Sequence, residues 1–288
     1  MANLKDIRRR IVSVKNTQQI TKAMKLVAAA KLRRAQEAME NARPYSAKMI
    51  EFVGRLAANS NPESHPLLIK RDSQKVLIVT LTGDKGLCGP FNNSVVKLTN
   101  QVIDSNKTSE ISLIPVGRRG YDYFKRRPVK ILDHIIEYSK QVGYPLAEKI
   151  AQIIIDEFSS ERADATYIVF NKFKNVATQK AIALPLLPII METDTGISAI
   201  NQVDYEYEPS AEEILDGILT RYVVSQIYQA LLESVASEHG ARMTAMDGAT
   251  KNASEMISDL TLEYNRARQA AITTELIEVV TGADALAG

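Results

Sequence analysis

The stretch that decides the fold runs from residue 214 to 280: ILDGILTRYVVSQIYQALLESVASEHGARMTAMDGATKNASEMISDLTLEYNRARQAAITTELIEVV. Positions spaced alternately four and three apart from Ile218 are Tyr222, Ser225, Gln229, Leu232, Ala236, His239, Met243, Met246, Thr250, Ala253, Ile257, Leu260, Tyr264, Ala267, Ala271 and Thr274. Most are apolar or aromatic. A sustained repeat of about 3.5 residues is the mark of a helix that packs along one seam in a left-handed coiled coil. Pro209 and Ser210 supply a stop and a candidate N-cap before it, with Glu212 and Glu213 favourable in the first turn. Gly282 is a candidate C′ residue at the far end. A continuous helix over 212–280 measures about 100 Å at about 1.5 Å per residue, so it protrudes from any globule this chain can form.

Such a helix needs a partner, and the other end of the chain offers one. Leu4, Ile7, Ile11 and Val14 follow the same spacing, as do Ala28, Leu32, Ala35, Met39 and Ala42. Between them Lys15, Asn16, Thr17, Gln18 and Gln19 are polar, and the phase is expected to slip there. Residues 1–43 carry eleven Lys and Arg against three Asp and Glu, and residues 212–288 carry five against twelve. A basic helix beside an acidic one is complementary in charge. The whole middle of the chain joins them, so they can run antiparallel. The first helix is the shorter, so the end of the second is expected to extend past it without a partner.

All ten prolines lie from Pro44 to Pro209. There the pattern alternates strands and helices: strands at 75–82, 111–116, 129–135, 166–173 and 180–190, helices at 92–106, 118–127 and 145–159. The last strand carries Pro185 and Pro188 and so belongs at an edge. The expected fold class is α/β: a long antiparallel coiled coil of the N- and C-terminal helices plus a central doubly wound, Rossmann-like domain. The expected domains are 1–58, 75–191 and 210–288, with linkers at 59–74 and 192–210.

The composition excludes several function classes. One cysteine, Cys88, allows no internal disulfide and no cysteine-rich zinc site, and His65, His134 and His239 are too scattered for a histidine metal centre. No metal site and no cofactor are expected. No apolar run is long enough to span a bilayer. Gly83, Asp84, Lys85, Gly86, Leu87, Cys88 and Gly89 follow the first strand, where phosphate-cradling loops occur. The spacing matches neither common glycine-rich signature, and Pro90 removes an amide donor, so a tight loop is the reading set against nucleotide binding. Cys88 has no base beside it in sequence and reads as a structural thiol. The basic N-terminal helix lacks stacking aromatics, which argues against nucleic acid. A run at 272–283 is strongly apolar for a free helix end, and is expected to insert into a partner.

Residues 16–24 (NTQQITKAM), 264–270 (YNRARQA) and 272–283 (ITTELIEVVTGA) together resemble the signatures of the gamma subunits of F-type ATP synthases, and the resemblance covers essentially the full chain. It implies a non-catalytic rotor shaft, not itself an enzyme, turning inside a ring of alpha and beta subunits. The implied role is to couple proton flow through a membrane ring to ATP synthesis or hydrolysis. The implied partners are the alpha, beta and epsilon subunits and the membrane c-subunit ring. The implied location is the cytoplasmic face of a bacterial plasma membrane, held peripherally. By the same resemblance, Arg268 and Gln269 meet loops of the surrounding ring, and Thr273, Glu275 and Glu278 are the polar positions of the tip. Met24 and Lys25 face the moving lobe of a beta subunit. Tyr205, Tyr207 and Glu208 form the foot on the membrane ring and epsilon. Two other readings compete with it: a nucleotide-dependent enzyme with a helical arm, and a coiled-coil adaptor or nucleic-acid scaffold.

Overall fold

The computed structural model describes residues 4–58, 65–140, 142–190 and 211–287. The elements in order are α1 (Leu4–Ala58), β1 (Lys75–Leu81), α2 (Phe91–Ser105), β2 (Glu110–Val116), α3 (Arg118–Phe124), β3 (Lys130–Ile131), α4 (Tyr144–Ser159), β4 (Ala165–Phe173), β5 (Gln179–Leu187) and α5 (Ala211–Ala287). The chain divides into two compact units, one of residues 1–28 with 243–288 and one of residues 29–242. Both long helices contribute to both.

The first unit is helical. Thr21 and Thr250 hydroxyls meet at 2.8 Å and Lys25 Nζ donates to Asp247 Oδ1 at 2.6 Å, so rising numbers on α1 match falling numbers on α5. The pair is antiparallel. Ile7, Thr21 and Ala28 on α1 and Met246 and Ala253 on α5 are the buried positions. Of these Thr21, Ala28 and Ala253 are small, which lets the backbones approach there.

The expected phase slip is not there. The sheltered positions of α1 include 4, 7, 11, 14, 18, 21, 25 and 28, an unbroken alternation of three and four, with Met24 half-buried beside them. Polar Gln18, Thr21 and Lys25 simply occupy seam positions. Thr21 finds the Thr250 hydroxyl, and Lys25 finds a carboxylate. The helix end expected at Gly282 is also not there. α5 runs on through Gly282 to Ala287, because an exposed helical glycine costs only about 1 kcal/mol and a C′ role needs a left-handed turn that does not form. The stop and cap expected at Pro209 and Ser210, and the foot residues Tyr205, Tyr207 and Glu208, lie outside the described residues.

The second unit is built on a five-stranded sheet of order β3-β2-β1-β4-β5. β1 pairs in parallel with β2 and β4, and β2 with β3, while β5 is antiparallel to β4. Central β1 is buried at every residue after Lys75, which is why it reads as a continuous apolar run. Val76, Ile78, Leu113 and Val169 join Val95 of α2 and Phe124 of α3 in one core. β5 stands at the edge but ends at Leu187, short of the expected 190, so that Pro188 lies beyond it; Pro185, the proline inside it, sits opposite Tyr167 beside a register shift. The helix expected over 118–127 stops at Phe124, and the strand expected over 129–135 shrinks to Lys130–Ile131 plus a single bridge from Ile135 to Val116. The linker expected at 59–74 contains a short 3-10 turn, Pro66–Leu68.

Within this unit α1 continues the same seam through Leu32, Ala35, Met39, Ser46, Val53 and Leu56, all buried. Pro44 lies inside the helix with its ring on an exposed position. α5 is different here. From residue 230 to 238 every position is buried, not one stripe. Its second face is taken by the α/β core, as shown by Ser237 Oγ donating to the carbonyl of Asn171 at 2.9 Å.

Candidate functional site

Two places in the sequence called for chemistry, the 83–89 loop and the end of α5. The loop is a closed structure. The Gly83 amide donates to Asn92 Oδ1 at 2.8 Å. Asp84 turns its carboxylate into the crevice, where Oδ1 accepts from the amides of Arg118 and Glu137 and Oδ2 from the Ser139 hydroxyl. An anionic side chain thus holds the donors that a phosphate would need, and repels a phosphate besides. Leu87 (φ 61°) and Gly89 (φ 54°) take the left-handed conformations of a tight loop. Gly117 is the tightest point: with φ 101°, any Cβ there would lie 2.0 Å from the carbonyl oxygen of Thr82. Cys88 is buried against Phe91 and Ala241, and burial pushes its thiol up, away from the reactive thiolate.

Beside the loop, α5 places an ion pair. Arg242 Nη2 donates to Glu238 Oε1 at 2.6 Å and to the carbonyl of Gly86 at 3.3 Å. Glu238 is held above the usual carboxylate range by burial, against the opposing pull of Arg242. His239 is pushed down to about 4 by burial first and then by the charges of Arg242 and Lys31. Arg242 thus holds α5 to the loop, with Glu238 and His239 against its guanidinium. Among the described residues no group of His, Cys, Asp and Glu could hold a metal ion.

The end of α5 is open. On the antiparallel register Leu4 falls level with about Ala267, and every position from 272 to 283 is exposed. Leu276, Ile277, Val279 and Val280 are 60, 61, 70 and 58% exposed. Thr273 and Thr274 return their hydroxyls to the carbonyls of Gln269 and Ala270, both at 2.9 Å, and Thr281 does the same to Ile277. The threonines therefore show methyl groups outward, and the tip is more apolar than its letters suggest. Glu275 and Glu278 are its charges, with Arg268 and Gln269 exposed one to two turns earlier. The structure brings Arg268, Gln269, Thr273, Glu275 and Glu278 onto one exposed helix end. Met24 and Lys25 lie elsewhere on the same unit, both half-buried, with Lys25 tied to Asp247.

Sequence reasoning missed part of the surface of α1. Val12, Ile20, Leu26 and Val27 are 53, 60, 64 and 57% exposed. Once the seam is known to run unbroken, they are apolar residues that fall off it. That off-seam placement was the available signal.

The fold and the site together define a class: a chain whose two terminal helices are very long and enclose an α/β region in sequence, with one apolar helix end left bare. The family model for ATP synthase matches residues 3–286. The ATP synthase gamma chain of Geobacter metallireducens is 50% identical over 290 residues, covering all of both chains. That of Pelotomaculum thermopropionicum is 47% identical, covering 99% of this chain and all of its own. The chain belongs to the ATP synthase gamma chain family. Among solved structures, the central stalk and c-ring assembly of Tetrahymena thermophila mitochondrial ATP synthase contains a chain with TM-score 0.62 and 27% identity, covering 80% of this chain and 99% of that one. A rotor chain of the Euglena gracilis enzyme shares the fold, with TM-score 0.67 at 18% identity over 93% of this chain and 98% of its own. No helix among the described residues is long and apolar enough to cross a membrane.

Proposed function

We propose that this chain is the non-catalytic rotor shaft of a proton-translocating ATP synthase, turning inside a ring of alpha and beta subunits and peripheral to the membrane. The observation that carries the reading is the bare apolar end of α5, on a chain whose whole length matches gamma chains. The functional division we propose is 1–58 and 210–288 as shaft, with 75–191 as the α/β domain. The tip inserts into the ring, and Arg268, Gln269, Thr273, Glu275 and Glu278 make its polar contacts. Met24 and Lys25 face the moving lobe of a beta subunit. Tyr205, Tyr207 and Glu208 form the foot on the membrane c-ring and the epsilon subunit. The setting is the cytoplasmic face of a bacterial plasma membrane. The shaft needs no cofactor.

The physics is a population shift. A shaft with one bare helix end is not symmetric about its axis, so it contacts otherwise identical beta subunits differently. Only a differential interaction of that kind can bias their nucleotide affinities. Turning the shaft moves the bias from one subunit to the next. The test is deletion of residues 272–288 in the assembled complex, in inverted membrane vesicles. ATP hydrolysis that continues while ATP-driven proton uptake is lost supports the reading. Proton uptake that stays proportional to hydrolysis contradicts it.

A further inference from the structure

The side of the sheet covered by α2 and α3 carries side chains that the rotor reading does not use. On α2, Asn93, Lys97 and Gln101 are exposed at four-residue spacing and so share a face, with Val96 and Asn100 half-buried beside them. These residues and Tyr123 of α3 line an open groove of about 440 Å³. Asn100 Nδ2 donates to Tyr123 Oη at 2.9 Å, which fixes the ring as one wall. The Arg127 guanidinium lies over that ring, 4.1 Å from its centre. Asp104, the carboxylate lining the groove, has Lys107 at 3.6 Å.

Positive charge is in excess here. Residues 118–130 hold six Arg and Lys against one Asp. Glu137, Asp122 and Glu110 pair with Arg118, Lys125 and Lys130. Among the described residues Lys97, Arg126 and Arg127 have no carboxylate partner, so the anions that suit them come from outside the chain. Three kinds of anion compete. Single-stranded nucleic acid needs open ring faces for its bases. Here Tyr123 has Arg127 over its ring, and Tyr121 is stacked on His134 at 4.2 Å with Lys125 Nζ 5.2 Å from its centre. A bilayer offers charge on a broad surface, which reaches exposed cations but not the floor of a groove. A polypeptide does both: carboxylates reach the cations, and an apolar side chain covers Val96 and the Tyr123 ring.

We propose that the groove between α2 and α3 binds an extended acidic segment of a partner protein, whose carboxylates meet Lys97 and Arg127 and whose apolar side chain lies on Val96 and Tyr123. Arg127, steadied by the Tyr123 ring, offers a fork of N–H donors that matches a carboxylate. The inference does not rest on the rotor reading, which gives neither helix a contact of its own.

The test titrates the full chain with the peptide EEELEEE and follows backbone amides by nitrogen-15 NMR. Saturable shifts should be confined to residues 93–104 and 121–130 and should weaken as salt is added. QQQLQQQ should give none, and EEEGEEE should bind several-fold more weakly. Lys97→Glu with Arg127→Glu should weaken EEELEEE about tenfold, because attraction becomes repulsion at both contacts. Lys149→Glu with Lys174→Glu makes the same change in net charge away from the groove and should leave binding as it was. All four side chains are exposed, so thermal melts should be alike. Lys97→Gln alone should give a smaller loss in the same direction. Equal affinity in the parent and the Lys97→Glu, Arg127→Glu chain would overturn the proposal, as would equal losses in both double variants. Shifts of these amides by phosphatidylglycerol vesicles or oligothymidylate, with none from EEELEEE, would overturn it in favour of a membrane or a nucleic acid.

Discussion

His239 sits half-buried on α5, with Arg242 Nη1 at 3.3 Å from its Nδ1. Its folded pKa is lowered to about 4 from 6.5. Between those values the unfolded chain binds a proton that the folded chain refuses, so stability falls as the pH drops through that window. Glu238 has the opposite sign: its raised folded pKa means that the folded chain takes up a proton first as the pH falls, which offsets part of the loss. His239→Gln is therefore expected to flatten the decline in urea midpoint from pH about 6.5 to about 4, or to reverse it; an unchanged slope would show that His239 does not carry it. Gly117→Ala tests the tightest turn. The added Cβ meets the Thr82 carbonyl from a positive φ, and equilibrium unfolding should show a loss of more than about 2 kcal/mol. A loss near zero would mean that this loop is not as tight as described. At this scale the sequence was partly legible. Glycines around the first strand announced a tight loop, but nothing local told that Asp84, and not a ligand, would fill its donors.

The two long helices are where the sequence spoke most clearly, and also where it misled. From Met246 to Ala271 every predicted seam position of α5 is buried or half-buried, while Thr274, the next, is exposed. Ala253 lies in the seam at 7% exposure and Leu262 off it at 55%. Ala253→Asp should weaken the helix pair by about 2–4 kcal/mol through a buried unpaired charge, and Leu262→Asp should stay within about 0.5 kcal/mol. Thermal melts followed by far-ultraviolet circular dichroism check this, and equal effects would contradict the seam. The misreading at 15–19 has a physical source. Polarity was taken as loss of phase, but Gln18, Thr21 and Lys25 keep the spacing and two of them find polar partners across the pair. Residues 223–241 hid a different fact. A helix buried on two sides shows no single stripe, so its packing against the sheet was not readable from period. Strand order, likewise, is decided by crossovers and not by any local run.

For the molecule as a whole, the division of labour follows charge and exposure: a basic first helix, an acidic last helix, a closed α/β unit and a bare apolar end. The bare end was legible, since 272–283 read as too apolar for solvent, and the threonine hydroxyls folded back onto the helix make it more so. Arg268→Ala with Gln269→Leu should lower the coupled rate several-fold while leaving the melting of the isolated chain nearly unchanged, because both side chains are exposed. A shared loss of stability would assign them to folding instead. The central claim is rotation driven by differential contact. The most direct measurement attaches a bead to a surface cysteine introduced on the α/β unit, fixes the alpha/beta ring to glass, and adds ATP. The shaft account predicts continuous one-directional turning of the bead that stops when ATP is removed. ATP hydrolysis by the same assembled complexes, with the bead only jittering about one angle, would contradict it.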